Sequence, residues 1–232
     1  MESPLRELAP ADLRVIETLG YGTESAAPEA RGFRRLARHL DRAARTCARL
    51  GIPFDRRACE AALEAAVRNA LVSPPTGASL LRCRLTVDLE GRIEAGAAPA
   101  GAAPARWRVS VSESRLEPGD PWLNVKTSQR RLYEAARAGL PPGVDEVLFL
   151  NTRGEVCEGT ITNVFIRRAG SPRQAPLLTP PLSSGLLPGI LREELVESGA
   201  AVEEILTMEA LRQAEAIFFG NSLRGLIPAE IV

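Results

Sequence analysis

Residues 13–21 (LRVIETLGY) alternate apolar and polar side chains well enough to predict a strand, and a loop rich in Gly, Pro and Ser follows to about Gly32. Leu36, Leu40, Ala43, Ala44, Cys47 and Leu50 then recur at three- and four-residue steps, with arginines opposite and Gly51 as a stop. That spacing predicts a helix packed on a sheet. A second helix fits residues 56–71, and LLRCRLTVDLEG and RWRVSVSES read as strands, with EAGAAPAGAAPA between them as a solvated hairpin loop. The first region, residues 1–116, is therefore expected to be helices on an antiparallel sheet, an α+β domain, with a linker at the turn-rich segment 117–122 (EPGDPW).

Beyond the linker, residues 123–232 are expected to form a second domain. A helix is predicted at about residues 127–139, followed by a hairpin whose two β-rich runs flank a turn near Arg153 and Gly154. The stretch PLLTPPLSSGLLPGILREELVESG reads as a short strand, a Gly and Pro loop, and a helix opening at about Pro188. The N–H groups at such a start point outward without partners, so GLLPGI is a candidate phosphate seat. Near the C-terminus, AIFFGNSLRGLIPAEIV reads as strand, tight turn and strand, with Asn221 and Ser222 at the turn.

Composition narrows the function classes. With 45% apolar and 25% charged residues the chain is an ordinary globular protein, and 29 basic against 29 acidic residues give no electrostatic footprint for nucleic acid or an anionic membrane. A small-molecule partner is expected. Cys47, Cys59, Cys83 and Cys157 lack metal-ligand spacing and there is a single histidine, so no metal is predicted and a reducing cytoplasm is the simplest setting. No apolar run approaches the roughly 20 residues that span a bilayer, and the start of the chain is too charged for a secretory signal.

One count stands out: of the 29 basic residues, only Lys126 is a lysine. Coding bias explains the arginines, which serve as well as lysine wherever only a surface charge is needed. Arginine, however, stays charged and forms no stable imine, whereas lysine can be desolvated, deprotonated and condensed with an aldehyde. A sole surviving lysine is thus a candidate catalytic amine; the bland reading is a leftover surface residue.

Taken in order, VKTSQRRLYEAAR, DEVLFLNTRGEVCEGTITNVF, TPPLSSGLLPGILR and IFFGNSLRGLIP resemble the motif set of class IV aminotransferases, and VIETL and GFRRLARHLDR are similar to the family's upstream segments. The family includes branched-chain and D-amino acid aminotransferases and 4-amino-4-deoxychorismate lyase. The resemblance implies a two-domain fold-type IV enzyme dependent on pyridoxal 5'-phosphate, with a small N-terminal α+β domain, a larger barrel-like C-terminal α/β domain, and a homodimer.

By the same resemblance Lys126 forms the Schiff base and moves the Cα proton, and Glu158 pairs with the pyridine nitrogen, keeping it protonated so that the ring acts as an electron sink. The phosphate falls to the backbone of Ile190 and Leu191, to Ser222 beside Asn221, and to Arg35, with Arg34 the alternative in the register. Asn163 and Thr160 match positions along the cofactor edge, though Thr and Asn on a hairpin are often structural. His39 is left out of catalysis as a packing or capping residue, and Glu17 and Thr18 read as strand residues that at most approach the substrate.

Two departures bear on the activity. Family members carry about twenty further residues before the VIETL position, so a trimmed small domain is expected. Transaminases often show a tyrosine five residues after the lysine, where this chain has Arg131, while Arg130 resembles the lyase branch. The leading expectation is therefore a lyase yielding 4-aminobenzoate and pyruvate, with a branched-chain or D-amino acid transaminase, or a pseudoenzyme that only binds small molecules, as alternatives. A Ser- or Cys-based hydrolase fails for want of a base, since His39 is the only histidine and no G-x-S-x-G elbow exists.

Overall fold

The computed structural model describes residues 4–23, 27–72, 78–102 and 104–232. They divide into two compact units: Met1–Ala102 with Lys126–Gln129, and Ala103–Val125 with Arg130–Val232. The stretch expected as a linker, 117–122, is counted with the second unit, where Pro121–Asn124 form a 3-10 turn capped by the Asp120 side chain.

The first unit contains helix α1 (Pro4–Glu7), strands β1 (Arg14–Gly22) and β2 (Gly32–Phe33), helices α2 (Leu36–Arg49) and α3 (Arg56–Val72), and strands β3 (Leu80–Asp88) and β4 (Ile93–Pro99). Its antiparallel sheet runs β2-β1-β3-β4. Leu13, Leu19, Leu40, Leu50, Leu63, Leu81 and Leu85 are buried, each contributing about 2 kcal/mol on removal from water. The low-complexity stretch is not all loop. Its first half is β4, paired with β3 from Val87↔Ile93 to Leu81↔Pro99. Half-buried small residues alternate with exposed ones there, and α3 packs against this strand. Alanine and glycine, small and weakly polar in pattern, give a helix close access to a strand.

The second unit contains β5 (Trp107–Leu116), α4 (Arg131–Ala138), β6 (Glu146–Asn151), β7 (Val156–Gly159), β8 (Asn163–Arg168), β9 (Leu177–Thr179), α5 (Ile190–Glu197), β10 (Ala201–Glu203), α6 (Met208–Arg212), β11 (Ala214–Asn221) and β12 (Gly225–Ile231). The strand order is β10-β9-β8-β11-β12-β5-β6-β7, and a further β7–β8 pairing closes the run from β8 to β7 into a six-membered barrel. Val109, Leu148, Val156, Val164, Phe219 and Ile227 pack together. On the other face of β6, Val147 and Phe149 pack with Tyr133 and Cys157. Burial on both faces is why β6 reads as an unbroken apolar run.

Three expectations change here. The strand RWRVSVSES, expected in the first region, pairs in parallel with β6 and β12 in the second unit. The expected hairpin is three strands, because the chain turns again at 160–162 between β7 and β8. The helix expected from residue 127 starts at Arg131. Residues 126–128 are extended along β1: Ile16 N–H donates to the Lys126 carbonyl (2.9 Å), and Ser128 N–H to that of Arg14 (2.8 Å). Backbone groups already paired with a strand cannot open a helix.

Candidate active site

Six of the predicted residues come together at one end of the barrel. In the strand register Glu158 lies opposite Asn163, and Asn163 opposite Gly220, one residue before Asn221 and Ser222. Helix α5 begins at the same end. A Cβ built on Gly189 would fall 1.9 Å from Asn163 Oδ1, and one built on Gly220 would fall 3.0 Å from Leu191 Cδ2. Two glycines thus let the start of α5 close on β8 and β11.

Glu158 is buried and held from both sides. Tyr133 on α4 donates its hydroxyl to Oε1 at 2.7 Å, and Leu187 N–H donates to Oε2 at 3.1 Å. The Asn163 amide stands 3.5 Å from Oε2 and donates to the Leu187 carbonyl at 3.0 Å. Both oxygens of the buried carboxyl thus accept a hydrogen bond from the protein. Burial pushes the Tyr133 phenol far above its ordinary range, with the Glu158 charge adding to the effect. It remains a donor.

Gly189 precedes α5 in an extended conformation, with no side chain capping the helix, while the side chains of Ile190 and Leu191 are buried. The backbone amides at that start are the anion-seeking groups. Ser222 is buried in the turn after β11. Asn221 holds the turn: its Oδ1 accepts from Leu223 and Arg224 N–H at 3.1 and 3.0 Å, and its amide donates to the Ile161 carbonyl at 3.2 Å. The Asn221 side chain thus shapes the site.

Lys126 and Arg35 belong to the first unit, and both segments hang from β1. Lys126 is half-buried on the edge beside Ile16, and the strand pairing Val15↔Thr127 continues the tie. Arg34 N–H donates to the Gly20 carbonyl at 2.8 Å, and Arg35 at the start of α2 has φ 56° and ψ 30°. Arg35 is the only non-glycine residue with positive φ among those described. A strained backbone at a polar residue points to function.

Glu17, read as a strand residue, lies inside the first unit. Arg42 grips it with Nε at 2.8 Å and Nη2 at 2.7 Å, and His39 Nδ1 stands 2.6 Å from Oε2. Burial raises this carboxyl, but the charge and hydrogen bonds of Arg42 and the contact with His39 outweigh it and bring it down to about 2. His39 is therefore a structural partner of β1.

Sequence reasoning missed two residues. Tyr133 was not singled out. Glu146 is fully buried at the head of β6: Oε1 accepts from Thr160 N–H (3.0 Å) and the Thr160 hydroxyl, and Oε2 from Ile161 N–H (3.2 Å) and the Thr162 hydroxyl (2.9 Å). It builds the turn that aims Glu158 and Asn163, and Thr160 is spent on it. An acidic residue at the head of a wholly apolar run was the available signal.

A barrel closed by β7 and β8, a buried, hydrogen-bonded glutamate at its mouth and an uncapped helix start beside it define a class of site suited to a flat, anionic, nitrogen-containing ring. Residues 17–232 match the family described as amino-transferase class IV, and the chain belongs to that family, whose members use pyridoxal phosphate. It is similar to the crystal structure of a provisionally assigned amino-acid aminotransferase from Mesorhizobium loti, with 38% identity, a TM-score of 0.81, and coverage of 95% of this chain and 100% of that one. It is 33% identical over 102 residues to the aminodeoxychorismate lyase of Bacillus subtilis, covering 42% of this chain and 33% of that protein. Over 95 residues it is 32% identical to the branched-chain-amino-acid aminotransferase of Escherichia coli, covering 39% and 29%. Alignments with other curated relatives span 30%, 38% and 37% of their length. The fold is that of fold-type IV enzymes.

The residues present fit the cofactor. Its phosphate needs donors, which the α5 start and Ser222 offer, and its ring nitrogen needs a carboxylate, which Glu158 offers.

Proposed function

We propose that this chain is a lyase that converts 4-amino-4-deoxychorismate into 4-aminobenzoate and pyruvate, using pyridoxal phosphate. The observation that carries the reading is Arg130, four residues after Lys126. Its guanidinium lies 4.9 Å from the centre of the Tyr133 ring and donates to the Thr160 carbonyl, beside the Glu158 strand. An arginine at that position resembles the lyase branch, and the Bacillus subtilis lyase is among the relatives.

Pyridoxal phosphate, when bound, supplies an electron sink for charge developing at the substrate Cα. The protein does the rest. Glu158 would hold the ring nitrogen protonated, the amides of Ile190 and Leu191 with Ser222 and Arg35 would bind the phosphate, and Asn163 would line the ring edge. Lys126 would hold the cofactor through Nζ, and its amine would serve as base and acid for the substrate Cα proton.

A second reading, transamination, is favoured by the full-length similarity to the Mesorhizobium loti protein. The two separate in one experiment, in which the purified protein is given aminodeoxychorismate or, separately, 2-oxoglutarate with an amino-acid panel. Pyruvate and 4-aminobenzoate are expected from the first. Glutamate from the second, without pyruvate from the first, would discard the lyase reading, and Lys126→Ala should abolish either activity. A cytoplasmic homodimer is part of the proposal; an active species sedimenting as a monomer would refute the dimer. Among the described residues no helix is long and apolar enough to cross a membrane.

A further inference from the structure

We infer that Tyr133 is a positioning residue, whose hydroxyl fixes the orientation in which Glu158 grips the ring nitrogen of pyridoxal phosphate. The inference rests on the cofactor reading above and assigns a role to a residue seven positions after Lys126 that none of the four motifs demanded.

The terminal torsion of Glu is broad, so a carboxylate anchored through one oxygen still turns about its last bond. In Glu158 the Leu187 amide and the more distant Asn163 amide address Oε2, while Tyr133 addresses Oε1. Donors on both oxygens, from α4 on one side and the 187 loop on the other, set the plane of the group. The phenol is itself held. Its ring packs edge-on against Phe149 (centroids 5.1 Å apart, planes at 66°), and the Arg130 guanidinium covers it. Because an ionised carboxylate only accepts, the phenol must donate, and burial keeps it protonated. A group that must meet one ring atom gains from support that is already rigid before the ring arrives.

The test is Tyr133→Phe, which keeps the ring and removes only the hydroxyl. Pyridoxal phosphate is titrated into apoprotein and followed by its long-wavelength absorption. Loss of a hydrogen bond to a buried anion should weaken binding about tenfold. The ratio of the protonated and deprotonated absorption bands should change as well, which a packing role would leave alone. In a Glu158→Gln background the same substitution should change the affinity less than about twofold, because the phenol acts through the carboxylate. Parent-like affinity and band ratio in Tyr133→Phe, with the parent binding normally, would overturn this inference alone. A parent that binds no pyridoxal phosphate would overturn the cofactor reading and this inference with it. Should Tyr133→Phe not fold, fluorine NMR of fluorotyrosine-labelled protein decides, since the chain has two tyrosines. The Tyr133 resonance should move on adding pyridoxal phosphate, and an unmoved resonance in the saturated protein would overturn the inference.

Discussion

Gly189 sits against Asn163 so closely that any side chain on it would occupy the amide oxygen's place, since its ideal Cβ lies 1.9 Å from Oδ1. The backbone at Gly189 is ordinary, with φ −71° and ψ 140°, so the glycine is there for space. Asn163 cannot retreat without loosening its bond to the Leu187 carbonyl. Asn163 and the residue that opens α5 are thus spaced by one missing methyl group.

Gly189→Ala should therefore cost about 1–3 kcal/mol, the usual penalty for overpacking. It should also weaken cofactor binding, because Asn163 and the start of α5 are forced apart. Denaturant unfolding and a pyridoxal phosphate titration check both; parent-like values in the two would contradict the close contact.

Arg35 offers a separation of strain from function. Glycine accepts its left-handed backbone, so Arg35→Gly should leave stability within about 1 kcal/mol of the parent. If the guanidinium binds the phosphate, affinity for pyridoxal phosphate should fall about tenfold. Arg34→Ala should leave that affinity unchanged. The reverse pattern would move the role to Arg34.

The Glu17 carboxyl, held at about 2 by Arg42 and His39 against an ordinary value of 4.5, makes stability depend on acid. A depressed folded-state value contributes stability that is complete above about 4.5 and is lost as the pH falls toward 2. Glu155, also lowered to about 2, first by its bond with Arg153, titrates over the same window. Glu17→Gln isolates the first group: it should destabilise the protein by about 3 kcal/mol at neutral pH, because Arg42 is left buried without its partner. Its deficit should then shrink as the pH is lowered through that window. A deficit independent of pH would show that Glu17 is not the titrating group.

Burial pushes Cys47 and Cys157 up to about 12 and Cys59 and Cys83 up to about 11. Only the thiolate attacks a disulfide reagent. The native protein should therefore release almost no colour from such a reagent at mildly alkaline pH, and all four thiols should react after unfolding. Rapid reaction of one thiol in the native protein would locate a site of local opening.

Much of this was legible in the sequence because periodicity and motif agreed. The arginine-faced helix after Gly32, the β6 run and the strand-turn-strand at the C-terminus lie where the spacing places them. The motifs singled out Glu158, Asn163, Ile190 and Ser222, and the β7–β8–β11 register brings the first two close to Ser222. What stayed hidden was tertiary. The first half of EAGAAPAGAAPA becomes a strand only because β3 and α3 are there to receive it. Residues 126–128 are extended because β1 claims their backbone. Tyr133 and Glu146 matter through partners 25 and 14 positions away. Local reasoning has no term for such distances.

The tie between Lys126–Gln129 and β1 also governs how this molecule can be taken apart. Since four residues from the middle of the chain complete the first unit, no single cut yields either half whole. A fragment ending near Ala102 would leave the Ile16 amide and the Arg14 carbonyl as an open strand edge, an invitation to self-association. Dissection, swapping with a relative, or split-protein complementation has to carry that short segment along as a separate strip.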